Sequence, residues 1–168
     1  VYFSSGGGLS KAFKSIGIDG KDERTHFTAK YAKDFVPSPD GKWVVFNVTD
    51  PAYDPKESST DIWLKSLTDE SPARRLTFSK AGEGGLAWSP DSRKLAFTAK
   101  RDADEASQVY VLDLAAGGEA EKITSLSTGA GAPKWSPDGT KLLFVSSVYP
   151  GANDDEANKK AAKERLGT

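Results

Sequence analysis

Three apolar runs of similar length recur along the chain, each directly after a short polar turn. They cover residues 43–48, 95–99 and 142–145, and hydrophobic side chains occupy nearly every position within them. A strand with one face in water alternates apolar and polar positions, whereas a near-continuous apolar strand is typical of one covered on both faces. We therefore predict three β-strands that each lie between two neighbouring layers of structure.

The turn ahead of each run has nearly the same sequence every time. Ser38, Ser89 and Ser136 begin these turns, and they are separated by 51 and 47 residues. A period of roughly 40–50 residues that is built from strands is typical of a β-propeller. The predicted structural turn residues are Ser38, Pro39, Asp40, Gly41, Ser89, Pro90, Asp91, Ser136, Pro137, Asp138 and Gly139.

Other matching segments complete each period. Residues 61–67 correspond to residues 108–114, and residues 74–78 correspond to residues 121–125. A short strand also leads back into each turn, as at Trp88, so that one period holds four strands, which is one propeller blade. The fold is therefore predicted to be all-β, a partial β-propeller of about three four-stranded blades.

The predicted blades occupy residues 35–150, and three blades are too few to close a ring. Propellers typically have about 4–8 blades, and repeat arrays with uncapped ends are poorly soluble. We therefore expect the remainder of the same polypeptide to supply further blades, with a homo-oligomer as the alternative. The chain starts with Val1 and contains no Met, which indicates a fragment, a processed product or an incompletely recorded sequence.

The turn residues have structural chemistry. Proline presets φ for a tight turn, aspartate accepts backbone hydrogen bonds, and glycine takes a positive φ at little cost. Ser92 stands where the other two turns have glycine. The second turn is therefore predicted to be slightly strained, or to be of a type that needs no positive φ.

The tryptophans follow the same repeat. Trp88 and Trp135 hold one repeat position, and Trp63 holds the position that Tyr110 has in the next period. Recurrence at matched positions favours packing in the core over a ligand-binding cage.

The two ends of the chain differ from its middle. Residues 1–34 are polar, include the glycine run 6–8, and are predicted to form a partly flexible leader with a short helix within residues 11–18. Residues 151–168 predict a charged helical insertion, incomplete and largely exposed. Asn153 or Asp154 can cap this helix, because acidic residues follow in its first turn and basic residues come later.

Composition excludes several classes of partner and site. Lys+Arg is 23 and Asp+Glu is 24, so the formal net charge of -1 gives no reason to expect nucleic acid or a membrane as partner. Without cysteine there are no disulfides, thiolate metal sites or cysteine nucleophiles, and the single histidine excludes sites that need two imidazoles. We expect no metal and no cofactor.

Candidate catalytic residues are few. The Gly-x-Ser-x-Gly elbow of serine hydrolases does not occur. A Ser–His–Asp set could use only His26, which lies in the polar leader and is interpreted as an exposed loop residue. The acidic residues 154–156 lack the spacing of a calcium loop and are interpreted as the start of a helix.

The Trp-Ser-Pro-Asp-Gly-x-x-Leu-x-Phe repeat resembles the propeller repeats of the prolyl oligopeptidase family of serine peptidases, and also those of the periplasmic propeller of the Tol translocation system. Two features favour the peptidases. Residues 34–48 resemble their first blade, and residues 145–150 with the acidic, then lysine-rich run 154–165 resemble a helical insertion of the dipeptidyl-peptidase V and acylaminoacyl-peptidase branch.

This resemblance implies the N-terminal propeller portion of a serine exopeptidase, a dipeptidyl or acylaminoacyl peptidase. The propeller would admit short peptide substrates to a C-terminal α/β-hydrolase domain, which would carry the catalytic triad outside this chain, so no catalytic residue is assigned. It also implies a periplasmic or secreted protein, although a cytoplasmic location stays open. The alternatives are a non-enzymatic periplasmic binding propeller like the Tol protein, and a scaffold assembled from separate three-blade chains.

Overall fold

The computed structural model describes residues 10–50, 59–80, 82–101 and 103–166. Within them the chain forms twelve strands followed by one helix. Their bounds are β1 Ser10–Ser15, β2 Arg24–Lys30, β3 Ala32–Pro37, β4 Trp43–Asp50, β5 Ser59–Ser66, β6 Arg74–Arg75, β7 Glu83–Trp88, β8 Lys94–Ala99, β9 Gln108–Asp113, β10 Glu121–Lys122, β11 Gly131–Trp135, β12 Leu142–Val145 and α1 Asp155–Leu166.

Two repeats form complete four-stranded antiparallel sheets. The first has the order β3-β4-β5-β6 and the second the order β7-β8-β9-β10, so each strand pairs with the next one along the chain. The prediction of an all-β chain with four-stranded blades is confirmed for these two repeats, which are called the first and second blades below.

The third repeat differs from the prediction. Strands β11 and β12 pair only with each other, and the described chain then continues through residues 146–154 without a strand into α1. The prediction of about three four-stranded blades is therefore wrong for this repeat within the described residues. Its turn and first hairpin form because the local Ser-Pro-Asp-Gly sequence specifies them, whereas the outer half of a blade needs two more strands.

The main core lies between the two blades. Val45, Ile62 and Leu64 of the first blade pack in one buried cluster with residues of the second, which include Trp88, Leu95, Phe97, Tyr110 and Leu112. Val44 and Val45 are adjacent and point to opposite faces of β4, yet both are fully buried. Burial on both faces is the physical reason for the near-continuous apolar runs.

The N-terminal leader folds as a hairpin. The helix predicted within residues 11–18 is wrong, because β1 pairs there with β2 in an antiparallel register that places Phe13 opposite Phe27. The Phe27 ring lies 5.9 Å from that of Phe35 and 5.3 Å from that of Phe46. These contacts tie the hairpin to the first blade. The glycine run 6–8 lies outside the described residues.

The C-terminal helix forms as predicted. Asp154 is the N-cap, since its Oδ1 accepts a hydrogen bond of 2.8 Å from the backbone N–H of Ala157. Asp155 and Glu156 lie in the first turn and Lys163 and Arg165 in the last, which matches the helix dipole. In the part of the chain that the structure describes, no helix is long and apolar enough to cross a membrane.

Candidate functional site

The three Ser-Pro-Asp turns share one hydrogen-bond network. In each, the serine Oγ donates to the aspartate Oδ1 two residues later and accepts the backbone N–H five residues later. The Oγ–Oδ1 distances are 2.6, 2.5 and 2.5 Å for the pairs Ser38–Asp40, Ser89–Asp91 and Ser136–Asp138. The side chains that recur in the sequence therefore satisfy the backbone of their own turns.

These hydrogen bonds change the acidity of the aspartates. The serine hydroxyl, followed by a backbone N–H, lowers the pKa of Asp40, Asp91 and Asp138, in the last case to about 2. An acceptor that receives several hydrogen bonds is more stable as the anion. The hydrogen bonds of the turns thus favour the charged form of these carboxylates.

For the second turn the sequence predicted either strain or a turn type that needs no positive φ, and the structure shows the strained turn. Ser92 has φ +60°, close to the +69° of Gly41 and the +70° of Gly139. A side chain in this left-handed region costs about 1–2 kcal/mol, which glycine avoids. Ser92 also accepts a hydrogen bond from the first blade, because the backbone N–H of Asp40 lies 3.1 Å from its Oγ.

The repeated tryptophans join one repeat to the one before it. The Trp88 indole N–H donates to the backbone oxygen of Val36 at 3.0 Å, and Trp135 donates to that of Ala87 at 3.1 Å. Val36 and Ala87 each lie two residues before the turn serine of their repeat. The predicted core packing is confirmed for Trp88 and Tyr110, which both belong to the buried cluster.

A buried acid that sequence reasoning missed lies at the junction of the two blades. Glu83 is 6% exposed, and its Oε2 accepts a hydrogen bond from the hydroxyl of Thr77, which follows β6 of the first blade. Its other oxygen, Oε1, has no hydrogen-bond partner in the described residues. Burial raises the pKa of Glu83 to about 7, and the Thr77 hydroxyl and the charge of Arg101 oppose that shift. One signal for it was present in the sequence, since Glu83 is an acid at the repeat position that Ala130 occupies in the next period.

Glu83 borders a cleft of about 370 Å³ whose other lining residues include Phe78, Lys80, Lys100 and Arg101. Arg101 packs its guanidinium 4.5 Å from the centre of the Tyr110 ring. The unpartnered oxygen of Glu83 is shielded from solvent, so this acid lies at the junction between the blades, at the inner wall of the cleft.

The edge of the third repeat exposes residues that are buried in the second blade. Leu95, Ala96 and Phe97 are fully buried, whereas Leu143 and Phe144, which match Ala96 and Phe97, are 64% and 42% exposed. Strand β8 has a partner on each side, while β12 pairs only with β11. The exposed edge is thus an apolar surface of the described chain whose counterpart in the second blade is buried.

The remaining candidates do not assemble a catalytic centre. Ser15 Oγ and His26 Nε2 are 2.8 Å apart across the leader hairpin, so His26 lies in a strand and not in a loop. Among the described residues no carboxylate hydrogen-bonds the other ring nitrogen of His26, which a Ser–His–Asp set requires. No group of three or more His, Cys, Asp or Glu side chains in the described ranges could hold a metal ion.

Comparison with known proteins identifies the fold. No protein-family model matches the chain, and no curated protein matches it. Among solved structures it is similar to TolB from Acinetobacter baumannii, with 21% identity, a TM-score of 0.62, and coverage of 84% of this chain and 33% of that one.

Two peptidases are also similar. The β-propeller domain of the trilobed protease from Pyrococcus furiosus matches with 22% identity and a TM-score of 0.52, over 68% of this chain and 33% of that chain. An acylaminoacyl peptidase from Pyrococcus horikoshii matches with 22% identity and a TM-score of 0.55, over 75% of this chain and 18% of that chain. This chain therefore spans a third or less of these proteins, and what it shares with the peptidases and with TolB is the propeller fold.

Proposed function

We propose that this chain is the N-terminal propeller portion of a serine exopeptidase, a dipeptidyl or acylaminoacyl peptidase. In this proposal the propeller gates the access of short peptides to a C-terminal α/β-hydrolase domain on the same polypeptide. The propeller fold is common to peptidase domains and to TolB. What favours the peptidase is helix α1, the next element after β12, at the place where the resemblance to the dipeptidyl-peptidase V and acylaminoacyl-peptidase branch has an insertion.

The helical insertion is anchored to the repeat array by polar contacts of two helix residues, Asp155 and Asn158. Asp155 Oδ1 accepts hydrogen bonds from the backbone N–H and the hydroxyl of Ser127, at 2.9 and 2.7 Å. Asn158 is 2% exposed, donates to Thr128 and Ser147, and accepts the backbone N–H of Tyr149 at 2.7 Å. Although its apolar face is thin, the helix is therefore fixed in position by specific hydrogen bonds. This supports the view that the helix is an integral part of the third repeat.

The proposal also specifies partners and location. The partners are the remainder of the polypeptide, which supplies further blades and the hydrolase domain, and short peptide substrates. The location is periplasmic or secreted. The chain itself contributes shape and access and no catalytic residue, since it has no Gly-x-Ser-x-Gly elbow.

A serine-directed probe tests the peptidase. The complete source polypeptide is incubated with a fluorophosphonate and assayed with dipeptidyl and acylaminoacyl chromogenic substrates. We expect one labelled serine and substrate cleavage that is lost when that serine is changed to alanine, while residues 1–168 alone cleave nothing. A complete polypeptide with no reactive serine, or cleavage by residues 1–168 alone, contradicts the proposal.

A non-enzymatic binding propeller is the second candidate, favoured by the TM-score of 0.62 with TolB over 84% of this chain. It predicts that further blades are followed by no hydrolase domain. The same probe experiment separates the two, because a binding propeller carries no serine that reacts with a fluorophosphonate.

A further inference from the structure

A groove runs between the outer strands of the second blade and the exposed edge of the third repeat. Its volume is about 500 Å³, and its apolar lining includes Val111, Ile123, Leu142 and Phe144. Ile123 is 45% exposed and Phe144 is 42% exposed. We call this surface the strand groove.

The first and second blades show what fills the matching space one repeat earlier. The counterparts of the four groove residues are Leu64, Leu76, Leu95 and Phe97, each 47 positions earlier. Three of them are buried in one cluster with Tyr110 and Leu112 of strand β9, and Leu76 packs against it. Strand β9 therefore covers the groove between the first and second blades. The matching groove between the second blade and the third repeat has no such strand over it in the described residues.

The register of the two complete blades also gives the residue types of the covering strand. Ile62, Trp63 and Leu64 of β5 stand opposite Asn47, Phe46 and Val45 of β4. In the second blade, Val109, Tyr110 and Val111 of β9 stand opposite Thr98, Phe97 and Ala96 of β8. Both blades thus have the order β-branched, aromatic, aliphatic, with the aromatic residue always opposite the phenylalanine.

We infer that the strand groove and the outer edge of β12 seat one antiparallel β-strand from the remainder of the polypeptide. Its β-branched, aromatic and aliphatic residues lie opposite Val145, Phe144 and Leu143, in that order. Its aromatic side chain then stacks near Phe144 as Tyr110 does with Phe97, whose ring centres are 6.0 Å apart. Its β-branched and aliphatic neighbours cover the other face, where Val145 and Leu143 are 69% and 64% exposed. An edge strand with unpaired backbone groups is a ready template for such pairing.

A second copy of this chain is a poorer occupant of the same edge. Strand β12 reads Leu-Leu-Phe-Val, so two copies paired antiparallel about their centres would set Phe144 opposite Leu143. That pairing lacks the aromatic partner that both complete blades provide. The inference rests on the part of the proposed function that places this chain in a larger propeller, and it does not depend on peptidase activity.

A peptide added in trans tests the inference on residues 1–168 as they stand. The probe is a fluorescently labelled peptide with the sequence of residues 106–114, and the control peptide carries Tyr110→Ser. The control peptide has no aromatic residue in any register, so it cannot place one opposite Phe144. Fluorescence anisotropy is expected to show at least about tenfold tighter binding of the native sequence, which corresponds to about 1.4 kcal/mol.

Variants of the protein locate the binding surface. Phe144→Ser is expected to weaken peptide binding at least about tenfold, whereas Val148→Ser, at a 70% exposed position outside the groove, is expected to leave it unchanged. Circular dichroism checks that both variants are folded. Equal binding of the two peptides, or a dimer of residues 1–168 that Phe144→Ser converts to monomer, overturns the inference. Peptide binding without a reactive serine in the complete polypeptide would overturn the peptidase alone.

Discussion

The backbone N–H of Asp40 in the first blade donates a hydrogen bond of 3.1 Å to the Oγ of Ser92 in the second. Ser92 occupies a turn position with φ +60°, where glycine would avoid a strain of about 1–2 kcal/mol. The side chain that causes the strain thus also forms a bond between blades, worth about 0.5–1.5 kcal/mol. The two effects are of similar size and opposite sign, so serine at this position costs little net stability.

Substitution of Ser92 separates these two effects. Ser92→Ala keeps the strained backbone and removes the hydrogen bond, so we expect its free energy of unfolding to fall by about 1 kcal/mol. Ser92→Gly removes both the strain and the bond, so we expect it to lie close to wild type. Urea unfolding of the three proteins measures the order. If Ser92→Ala is as stable as wild type, the bond between blades contributes nothing.

Removal of the tryptophan hydrogen bonds should weaken the contact between repeats. Trp88→Phe leaves the backbone oxygen of Val36 without its 3.0 Å donor and leaves space in the core, so we expect a loss of about 1–3 kcal/mol. Trp63→Phe is the matched control, because this half-buried indole donates no hydrogen bond to a neighbouring repeat within the described residues. Equal losses in the two variants, measured by urea unfolding, would show that the indole N–H is not what matters.

Glu83 makes stability depend on pH in a defined direction. Its pKa in the folded protein is about 7, above the ordinary value of 4.5, so the folded state binds more protons than the unfolded state between these values. The free energy of unfolding therefore falls as pH rises from 4.5 to 7. Glu83→Gln should remove this slope and stabilise the protein at pH 7.5 by roughly 1–3 kcal/mol.

Urea unfolding at pH 5.0 and 7.5 measures the Glu83 effect. Glu121→Gln, at an exposed position of β10, is the matched control and should keep the wild-type dependence. If the Glu83→Gln protein loses as much stability between the two pH values as wild type does, the buried acid is not the group that titrates.

Asp138 in the third turn should make the free energy of unfolding depend on pH in the direction opposite to that of Glu83. The hydroxyl of Ser136 and backbone N–H groups lower the pKa of Asp138 to about 2, so the stability that its carboxylate adds is present above pH 3.8 and lost as pH falls through 2. Asp138→Asn should therefore be less stable than wild type at neutral pH, with a difference that shrinks toward pH 2. Thermal unfolding across this range measures it. A difference that stays constant with pH would contradict the assignment.

The parts of the fold that follow from the sequence are those with local causes. The Ser-Pro-Asp turns and the doubly covered strands β4 and β8 were predictable, because the residues that form each turn lie within six positions of one another. The leader hairpin was not predictable, since Phe13 and Phe27 pack against Phe35 and Phe46, contacts that no local pattern encodes. Glu83 was missed because its surroundings include another blade, from which Thr77 donates a hydrogen bond to it.

The intact mass of the source polypeptide, measured under denaturing conditions after treatment with a fluorophosphonate, tests the central claim most directly. If this chain is the propeller portion of a serine exopeptidase, the mass is several times the 18.0 kDa of these 168 residues and increases by one probe. A polypeptide of 18.0 kDa that takes up no probe would contradict the account.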